Sequence, residues 1–324
     1  MSFKFYLFLI AAFILLALVA VSSGGASISL GDIAKFFTFG EIDETKQLIL
    51  LQMRLPRLVL GILIGALLAT SGVVVQSVFL NPLADPYIIG IASAATFGAV
   101  AAYLLKLPDF YYGVFAFFSA AILSVLIFKL SKKGKSIATL LIIGIAFSSF
   151  LGAFTSFATY LIGEDSFKIV AWMMGYVGSA NWGKIIYISV PLVLSMAYFY
   201  FKRFELNVIL SGDEEAQSLG VDVEKIKKRL LIVSSLAVAF SVAFTGMIGF
   251  VGLIIPHTLR MILKTSSNIV LIPISAFAGG FFLLACDTIG KSVLSPTEVP
   301  IGVVTAFFGA PFFLFLAIRS SRSI

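Results

Sequence analysis

The stretch LVLGILIGALLATSGVVVQSVFL, residues 58–80, contains no charged side chain. A helix needs about 20 apolar residues to cross the hydrocarbon core of a bilayer, so this stretch is long enough for one transmembrane span. Hydrophobic residues make up 60% of the whole chain and charged residues 12%. That composition leaves too little polar surface to enclose a soluble core. The sequence therefore predicts a membrane protein.

Similar charge-free runs recur along the 324 residues. The run at 230–259 is too long for one helix and contains Gly246, Gly249 and Pro256, so we divide it near Phe250 into a full span and a shorter return. This gives ten spans, and we expect an all-α transmembrane bundle that forms one domain over the whole chain. The remaining runs are 5–21, 86–105, 110–128, 136–163, 185–201, 265–286 and 299–318.

An even number of spans puts both termini on the same side of the membrane. With the N-terminus inside, most of the 23 Lys and Arg residues fall on the inner side, as the positive-inside rule requires. Both termini are therefore predicted to be cytoplasmic. A cleavage-like site at Ala20-Val21-Ser22 leaves a removable signal peptide as the alternative to an uncleaved first helix.

One charged segment, residues 202–229, interrupts the apolar runs on the predicted cytoplasmic side. Ser211 or Asp213 is suited to cap a short helix, and the carboxylates after the cap favour its positive end. Gly220 is suited to end that helix. We interpret 202–229 as an element that meets a soluble partner, and the alternative is a solvated loop.

Several classes of function are disfavoured by the residues present. Cys286 is the only cysteine and His257 the only histidine, which excludes a disulfide framework and a multi-cysteine or histidine-rich metal site. The basic residues lie at span ends, as orientation signals do, so nucleic-acid binding is not expected. Asp85 and Asp287 are interpreted as turn or cap residues, which leaves no ionisable group at a span centre for an ion-driven carrier.

From position 54 to the end the chain carries a series of short sequence blocks. They are Arg54-Leu55-Pro56-Arg57, Ser71-Gly72 with Gln76, Asn81-Pro82-Leu83-Ala84-Asp85-Pro86, AWMMG at 171–175, Leu219-Gly220-Val221, GFVGLIIPH at 249–257 with Arg260, EVPIGVVTA at 298–306 and GAPFF at 309–313. In this order the blocks resemble the FecCD-type permeases, the membrane subunits of ABC importers for iron–siderophores, haem and vitamin B12. In one departure, Thr265-Ser266-Ser267-Asn268 stands where the family usually carries Asp-His-Arg. In another, Lys291 stands where the vitamin B12 permease has arginine.

The resemblance implies a type II ABC importer permease in a bacterial or archaeal plasma (inner) membrane. Two copies of the chain are expected to work with two cytoplasmic ABC ATPases and an external substrate-binding protein. The chain itself then needs no cofactor, because the ATPases bind the ATP, and it makes no bonds in its substrate, so it is not an enzyme. The expected cargo is an iron(III)–siderophore-like chelate, with vitamin B12, haem and molybdate as alternatives.

The resemblance also assigns roles to residues. The helix at 211–220 is expected to insert into the ATPase, basic side chains near the outer surface to meet carboxylates of the binding protein, and the stretch before the fifth span to close the cytoplasmic exit. The coupling residues are Ser211, Asp213, Glu214, Glu215, Ala216, Leu219 and Gly220; the docking residues are Arg54, Arg57 and Lys291; the gate residues are Ser136, Ile137, Ala138 and Thr139; the structural motif residues are Asn81, Pro82, Asp85, Pro86, Gly249, Gly252, Pro256, His257 and Arg260.

Two functions from other classes stay open. A secondary carrier driven by an ion gradient would need paired ionisable groups near the bilayer midplane. A polytopic membrane enzyme would need a cluster of His, Asp or Glu at a membrane face, and His257 alone makes that a weak alternative.

Overall fold

The computed structural model describes residues 3–26, 28–87, 89–130 and 137–321, and all regular secondary structure within them is helical. The expected all-α bundle is confirmed. We number the helices in chain order and call the predicted cytoplasmic side the inner side. The helices are α1 Phe3–Ser22, α2 Leu30–Phe37, α3 Glu44–Ile49, α4 Leu55–Val78, α5 Ile91–Leu104, α6 Phe110–Leu130, α7 Ile137–Ile162, α8 Phe167–Met173, α9 Trp182–Phe201, α10 Arg203–Ile209, α11 Asp213–Ser218, α12 Val223–Thr245, α13 Val251–Leu263, α14 Asn268–Val293 and α15 Ile301–Ser321.

Each of the ten predicted spans corresponds to one apolar helix. Among the described residues, six apolar helical stretches are long enough to cross a membrane, namely those containing α4, α6, α7, α9, α12 and α14. The apolar stretches of α1, α5, α13 and α15 are shorter. The break predicted near Phe250 is confirmed, since α12 ends at Thr245 and α13 begins at Val251.

Helix α4 forms the centre of the bundle and packs against α9, α12, α13 and α14. Its glycines allow backbones to touch, as small residues do in membrane helices. A Cβ built on Gly65 would lie 2.2 Å from the carbonyl oxygen of Gly279 in α14, and one on Gly72 would lie 1.9 Å from that of Gly252 in α13. These two crossings fix how closely α13 and α14 approach α4.

The predicted third span, 86–105, is wrong at its start. Residues 79–87, 89 and 90 are not helical, and α5 begins only at Ile91, after Gly90 in the left-handed region at φ 84°. Two prolines, Pro82 and Pro86, disfavour helix in the residues before them. Pro86 packs against Gly252, which also lies beside Leu68 of α4. Leu68 is about 15 Å along the axis from the inner end of α4, so residues 79–90 turn back into the bundle.

Two short helices before α4 were not expected from the sequence. Asp32 of α2 and Lys46 of α3 form an ion pair at 2.8 Å. The hydrogen bond from Lys46 lowers the pKa of the Asp32 carboxyl to about 2. A π-helical turn, Leu50–Arg54, then leads from α3 into α4.

The α4–α14 crossing gives a test within one helix. Gly65→Ala should destabilise the protein by about 1–3 kcal/mol because its methyl group overlaps the Gly279 carbonyl. Gly61→Ala, one turn earlier with nothing within 4 Å of the added carbon, should be neutral or slightly stabilising. Thermal unfolding of the detergent-purified chain measures both, and equal shifts would contradict the crossing.

Candidate functional site

The inner half of α4 and α13 is joined by one buried glutamine. Pro256 lies inside α13 and has no N–H, so the carbonyl oxygen of Gly252 lacks its helical donor. Gln76 of α4 fills this position, since its Nε2 donates to the carbonyls of Gly252 and Leu253, each at 3.2 Å. Its Oε1 accepts a hydrogen bond from Arg260. Two of the predicted motif residues, Gly252 and Arg260, therefore meet at Gln76.

The irregular residues 79–90 are held against α13 by further motif residues. His257 is half-buried beside the backbone of Pro82, and its ring lies edge-on to Phe312. The carboxylate of Asp85 accepts from the amide of Tyr87 at 2.8 Å, and the side chain of Asn81 accepts from the amide of Leu83 at 2.9 Å. Both are turn contacts typical of Asp and Asn.

Two interruptions of helix therefore lie side by side within the bundle. We call the described residues between 79 and 90, together with residues 246–250, the junction. A Cβ built on Gly249 would meet no atom within 4 Å, and Phe250, at φ 69°, packs its ring on Gly309 of α15. Non-helical backbone at membrane depth is found where it is buried in protein or lines a water-filled cavity. Broken helices of this kind form the substrate sites of many transporters.

Charged side chains near the outer end of the bundle pair with each other. Arg57 of α4 donates to Asp287 of α14 at 2.8 Å and to Glu298 at 2.8 Å. Lys291 lies one turn after Asp287, with their charged atoms 3.8 Å apart. We call Arg57, Asp287, Lys291 and Glu298 the outer cluster. Two cations and two carboxylates balance, which a buried set of charges requires.

Two of the predicted docking residues are buried among other side chains of the same chain. The side chain of Arg57 is 12% exposed and that of Lys291 3% exposed, and both have partners within the chain. Lys291 also donates to the carbonyl of Ala20 at the end of α1. Arg54 is half-buried and donates to the carbonyls of Ser23 and Ala26. Contact of these residues with a binding protein stays a prediction, and for Arg57 and Lys291 it would require the outer cluster to open.

Tyr176, in the loop between α8 and α9, borders the outer cluster. The guanidinium of Arg57 lies 5.9 Å from the centre of its ring, which suits a cation–π contact. Burial, and then the negative charge of Glu298, raise the pKa of the Tyr176 hydroxyl. The amide of Tyr176 donates to the carbonyl of Thr245 at 2.7 Å, so this loop also holds the end of α12.

The charged segment 202–229 folds into α10, α11 and the start of α12. Within α10, burial alone would raise the pKa of the Glu205 carboxyl, but the hydrogen bond from Lys202 lowers it below its usual value. Helix α11 ends at Ser218, and Gly220, the predicted terminating residue, follows its C-cap in the left-handed region at φ 83°. The amides of Gly220 and Val221 donate to the carbonyls of Gln217 and Ala216, the arrangement of a Schellman cap.

Two details of the predicted coupling helix are corrected. Neither Ser211 nor Asp213 caps it, because Gly212 at φ 118° is the N-cap and Asp213 instead accepts from Lys227 at 2.6 Å. Ala216 is fully buried against Ile209 and Val223, so it faces the chain and not a partner. The exposed members of the predicted set are Ser211, Asp213, Glu214, Glu215, Leu219 and Gly220.

A line of polar contacts connects α10 with α4. The side chain of Asn207 accepts from the amide of Asn268 at 2.7 Å and donates to Ser267 at 3.4 Å. Asn268 is fully buried, and its side-chain oxygen accepts from Ser77 of α4 at 2.9 Å. Ser77 is the neighbour of Gln76, so these contacts extend from the charged segment to the junction. The stretch that departs from the family pattern forms their middle.

The predicted gate lies mostly outside the described part of the chain. Ser136 and the side chains of Ile137 and Ala138 are not described, and Thr139 is half-buried in the first turn of α7. Closure of the exit by this stretch stays a prediction.

Sequence reasoning did not identify Asn207 and Asn268 as the residues that connect α10 with α4. It also did not predict that Asp287 and Glu298 both pair with Arg57. Asp287 was interpreted as a cap, and its carboxylate instead binds a guanidinium 230 positions earlier. Pro256, four residues after Gly252, was the one local signal that a carbonyl in α13 would need an outside donor.

An all-helical membrane bundle with a buried junction of broken helices and an exposed charged loop is typical of the membrane subunit of a transporter. Residues 10–319 match the FecCD transport family, and the chain belongs to this family of ABC importer permeases. It is therefore a multi-pass transport protein and not an enzyme.

Relatives and a solved structure agree with this assignment. The chain is 42% identical over 280 residues to the cobalamin import system permease protein BtuC of Halobacterium salinarum, covering 85% of this chain and 74% of that protein. It is 34% identical over 320 residues to the hemin transport system permease protein HmuU of Yersinia pestis, covering 96% and 94%. A solved inward-facing conformation of a metal-chelate type ABC transporter superposes with a TM-score of 0.86 at 33% identity, covering 98% and 99%.

The outer cluster predicts that an Asp→Asn substitution within it destabilises the protein much more than the same substitution in an exposed ion pair. Asp287→Asn leaves Arg57 and Lys291 with one carboxylate and should cost about 3–5 kcal/mol. Asp109→Asn breaks an exposed pair with Lys168, at 64% and 61% exposure, and should cost at most about 1 kcal/mol. Unfolding of both variants in detergent measures this difference.

A second substitution tests the charge balance itself. Adding Lys291→Met to Asp287→Asn removes the surplus cation and should recover part of the lost stability. Equal losses for Asp287→Asn and Asp109→Asn, or no recovery in the double variant, would contradict the proposed balance.

Proposed function

We propose that this chain is the translocation subunit of an importer in which two copies, two cytoplasmic ABC ATPases and an external binding protein carry a metal chelate across the membrane. The observation that supports this most directly is α11, a short helix with an apolar side chain, Leu219, exposed at its end. Leu219 is 70% exposed in the charged segment, where the bilayer does not cover it. We therefore expect a partner protein on the inner side to bury Leu219.

The two faces of α11 have different tasks in this proposal. Ala216 faces inward, and with Ile209 and Val223 it attaches the helix to α10 and α12. Leu219 and the carboxylates of Glu214 and Glu215 face outward, where an ATPase groove is expected to receive them. The Asp213–Lys227 pair and the Gly220 cap keep the helix folded while its outer face is free.

Movement of α11 has a physical route to the junction. Leu206 and Ile209 of α10 are fully buried, and α10 packs against α4 and α14. Asn207 then connects α10 to Asn268 and Ser77. A displacement of α11 is thus passed to the inner ends of α4 and α14, next to Gln76. We infer that ATP binding by the partner ATPases acts through these contacts.

A second copy of the chain is proposed to pack along α7. The apolar stretch that contains α7 is only 17% buried within the chain, the least of the six membrane-length stretches. Its exposed side chains include Phe150, Phe154, Phe157 and Tyr160. Helix α7 also touches the junction, because Gly144 packs on Ile89. A dimer formed along α7 would bring two junctions to one central pathway.

The cargo is proposed to be a metal chelate in the class of corrinoids, haem and iron(III)–siderophores. The relative at 42% identity imports cobalamin, which favours a corrinoid over the iron(III)–siderophore expected from the sequence. The hemin permease at 34% identity keeps haem among the candidates. We expect the binding protein to determine which of these chelates is transported.

Uptake into sealed vesicles tests this function. Proteoliposomes with the chain, its ATPase and its binding protein should accumulate radiolabelled cobalamin or a ferric siderophore only when ATP is present on the ATPase side. Asp85, a carboxylate within the bundle, makes an ion-coupled carrier the second candidate. Uptake driven by a proton or sodium gradient without ATP would support that candidate and overturn the proposal.

The coupling role predicts a specific effect of one substitution. Leu219→Asp replaces an apolar contact by a buried unpaired charge at the ATPase, costing a few kcal/mol of binding. It should abolish ATP-dependent uptake and co-purification of the ATPase while the unfolding temperature is unchanged. Leu48→Asp, at an apolar side chain of α3 that is 61% exposed, should leave co-purification intact. Normal co-purification in Leu219→Asp would remove α11 from the interface.

A further inference from the structure

A groove of about 1250 Å³ lies between α6, α8, α9 and α12 in the outer half of the bundle. It is separate from the junction and from the outer cluster except at Glu298, on its border. Two of its wall residues, Phe118 and Tyr187, are 57% and 62% exposed. Both belong to transmembrane helices, so the groove opens sideways toward the bilayer.

The lining of the groove changes from polar to aromatic along the membrane normal. Its aromatic part is built from pairs across helices, such as Phe117 with Phe240 at 5.4 Å and Tyr187 with Phe244 at 6.4 Å between ring centres. Phe117, Tyr187 and Phe240 lie five to seven residues below the outer ends of their helices, about 7 to 11 Å deeper at 1.5 Å per residue, and Phe244 lies at the outer end of α12. The polar lining lies at the outer end and consists of Asp109, Lys168, Ser179, Asn181 and Lys184.

One positive charge in this lining has no carboxylate partner. Asp109 pairs with Lys168 at 2.7 Å, and Glu298 pairs with Arg57. Lys184 donates to the hydroxyl of Ser179 at 2.8 Å, and within the described residues no carboxylate lies within 4 Å of its ammonium group. The outer rim of the groove therefore carries a surplus of one cation above an aromatic slot.

We propose that this groove binds a phospholipid of the outer leaflet with an anionic headgroup. The phosphate binds at Lys184, and an acyl chain lies along Phe117, Tyr187 and Phe240. The order of surfaces in the groove, cation at headgroup depth and rings at acyl depth, is the order of surfaces in the lipid. A basic residue near a membrane surface contributes about 1 kcal/mol toward an anionic lipid, which is about a fivefold preference.

The chain carries its own reporter for this site. Of the two tryptophans, Trp172 lines the groove, whereas Trp182 does not and bonds to the carbonyl of Leu51. In a Trp182→Phe background reconstituted in nanodiscs, brominated phosphatidylglycerol should quench Trp172 at about fivefold lower mole fraction than brominated phosphatidylcholine.

Three further variants separate the site from general contact with lipid. Lys184→Gln should reduce the preference to about onefold, and Lys184→Arg should keep it. Lys35→Gln, an exposed lysine of α2 outside the groove, should also keep it. Val114→Phe, which fills the slot from α6, should weaken quenching by both lipids.

Several outcomes would overturn the proposal. Equal quenching by the two lipids, or a preference that survives in Lys184→Gln, would contradict selection of an anionic headgroup by Lys184. Unchanged quenching in Val114→Phe would mean that bromine reaches Trp172 by another route. Absence of quenching by either lipid would mean that protein covers the groove.

Discussion

The carbonyl oxygen of Gly252 has no donor within its own helix, and the inner half of the bundle is organised around that fact. In hydrocarbon an unsatisfied backbone group costs several kcal/mol, so a partner has to come from a neighbouring helix. Gln76 supplies it, and it reaches the carbonyl because Gly72 lets α4 and α13 touch. The other end of the amide then holds Arg260. One proline thus fixes the spacing, the polar partner and the register of two helices.

Local composition predicted the ten apolar helices and the break near Phe250, because hydropathy and helix-breaking residues act over a few positions. Predictions from local composition failed where contacts between residues far apart in the sequence determine the local structure. Residues 86–90 look apolar enough to be helical, yet the contact of Pro86 with Gly252 draws this part of the chain into the bundle as irregular backbone. Arg57 and Lys291 look like surface cations, and only their proximity to Asp287 explains their burial.

The charged segment combines a rigid base with an exposed tip. Its base is α10, which is held by two kinds of contact. Leu206 and Ile209 are buried, and Asn207 forms a hydrogen bond with the start of α14. Its tip is α11, whose Schellman cap at Gly220 needs no contact from outside the chain. The charged residues of this segment predicted that its tip would be exposed. The base could not be seen, because asparagine carries no charge and its partners follow 61 positions later.

The neutrality of the outer cluster has an electrical consequence. Moving one elementary charge through a membrane potential of 100 mV involves about 2.3 kcal/mol of work. Arg57 and Lys291 are offset by Asp287 and Glu298, so the cluster as a unit carries no net charge through the field. The four charges of the outer cluster therefore add no net electrical work when the outer ends of α4 and α14 shift together through that field.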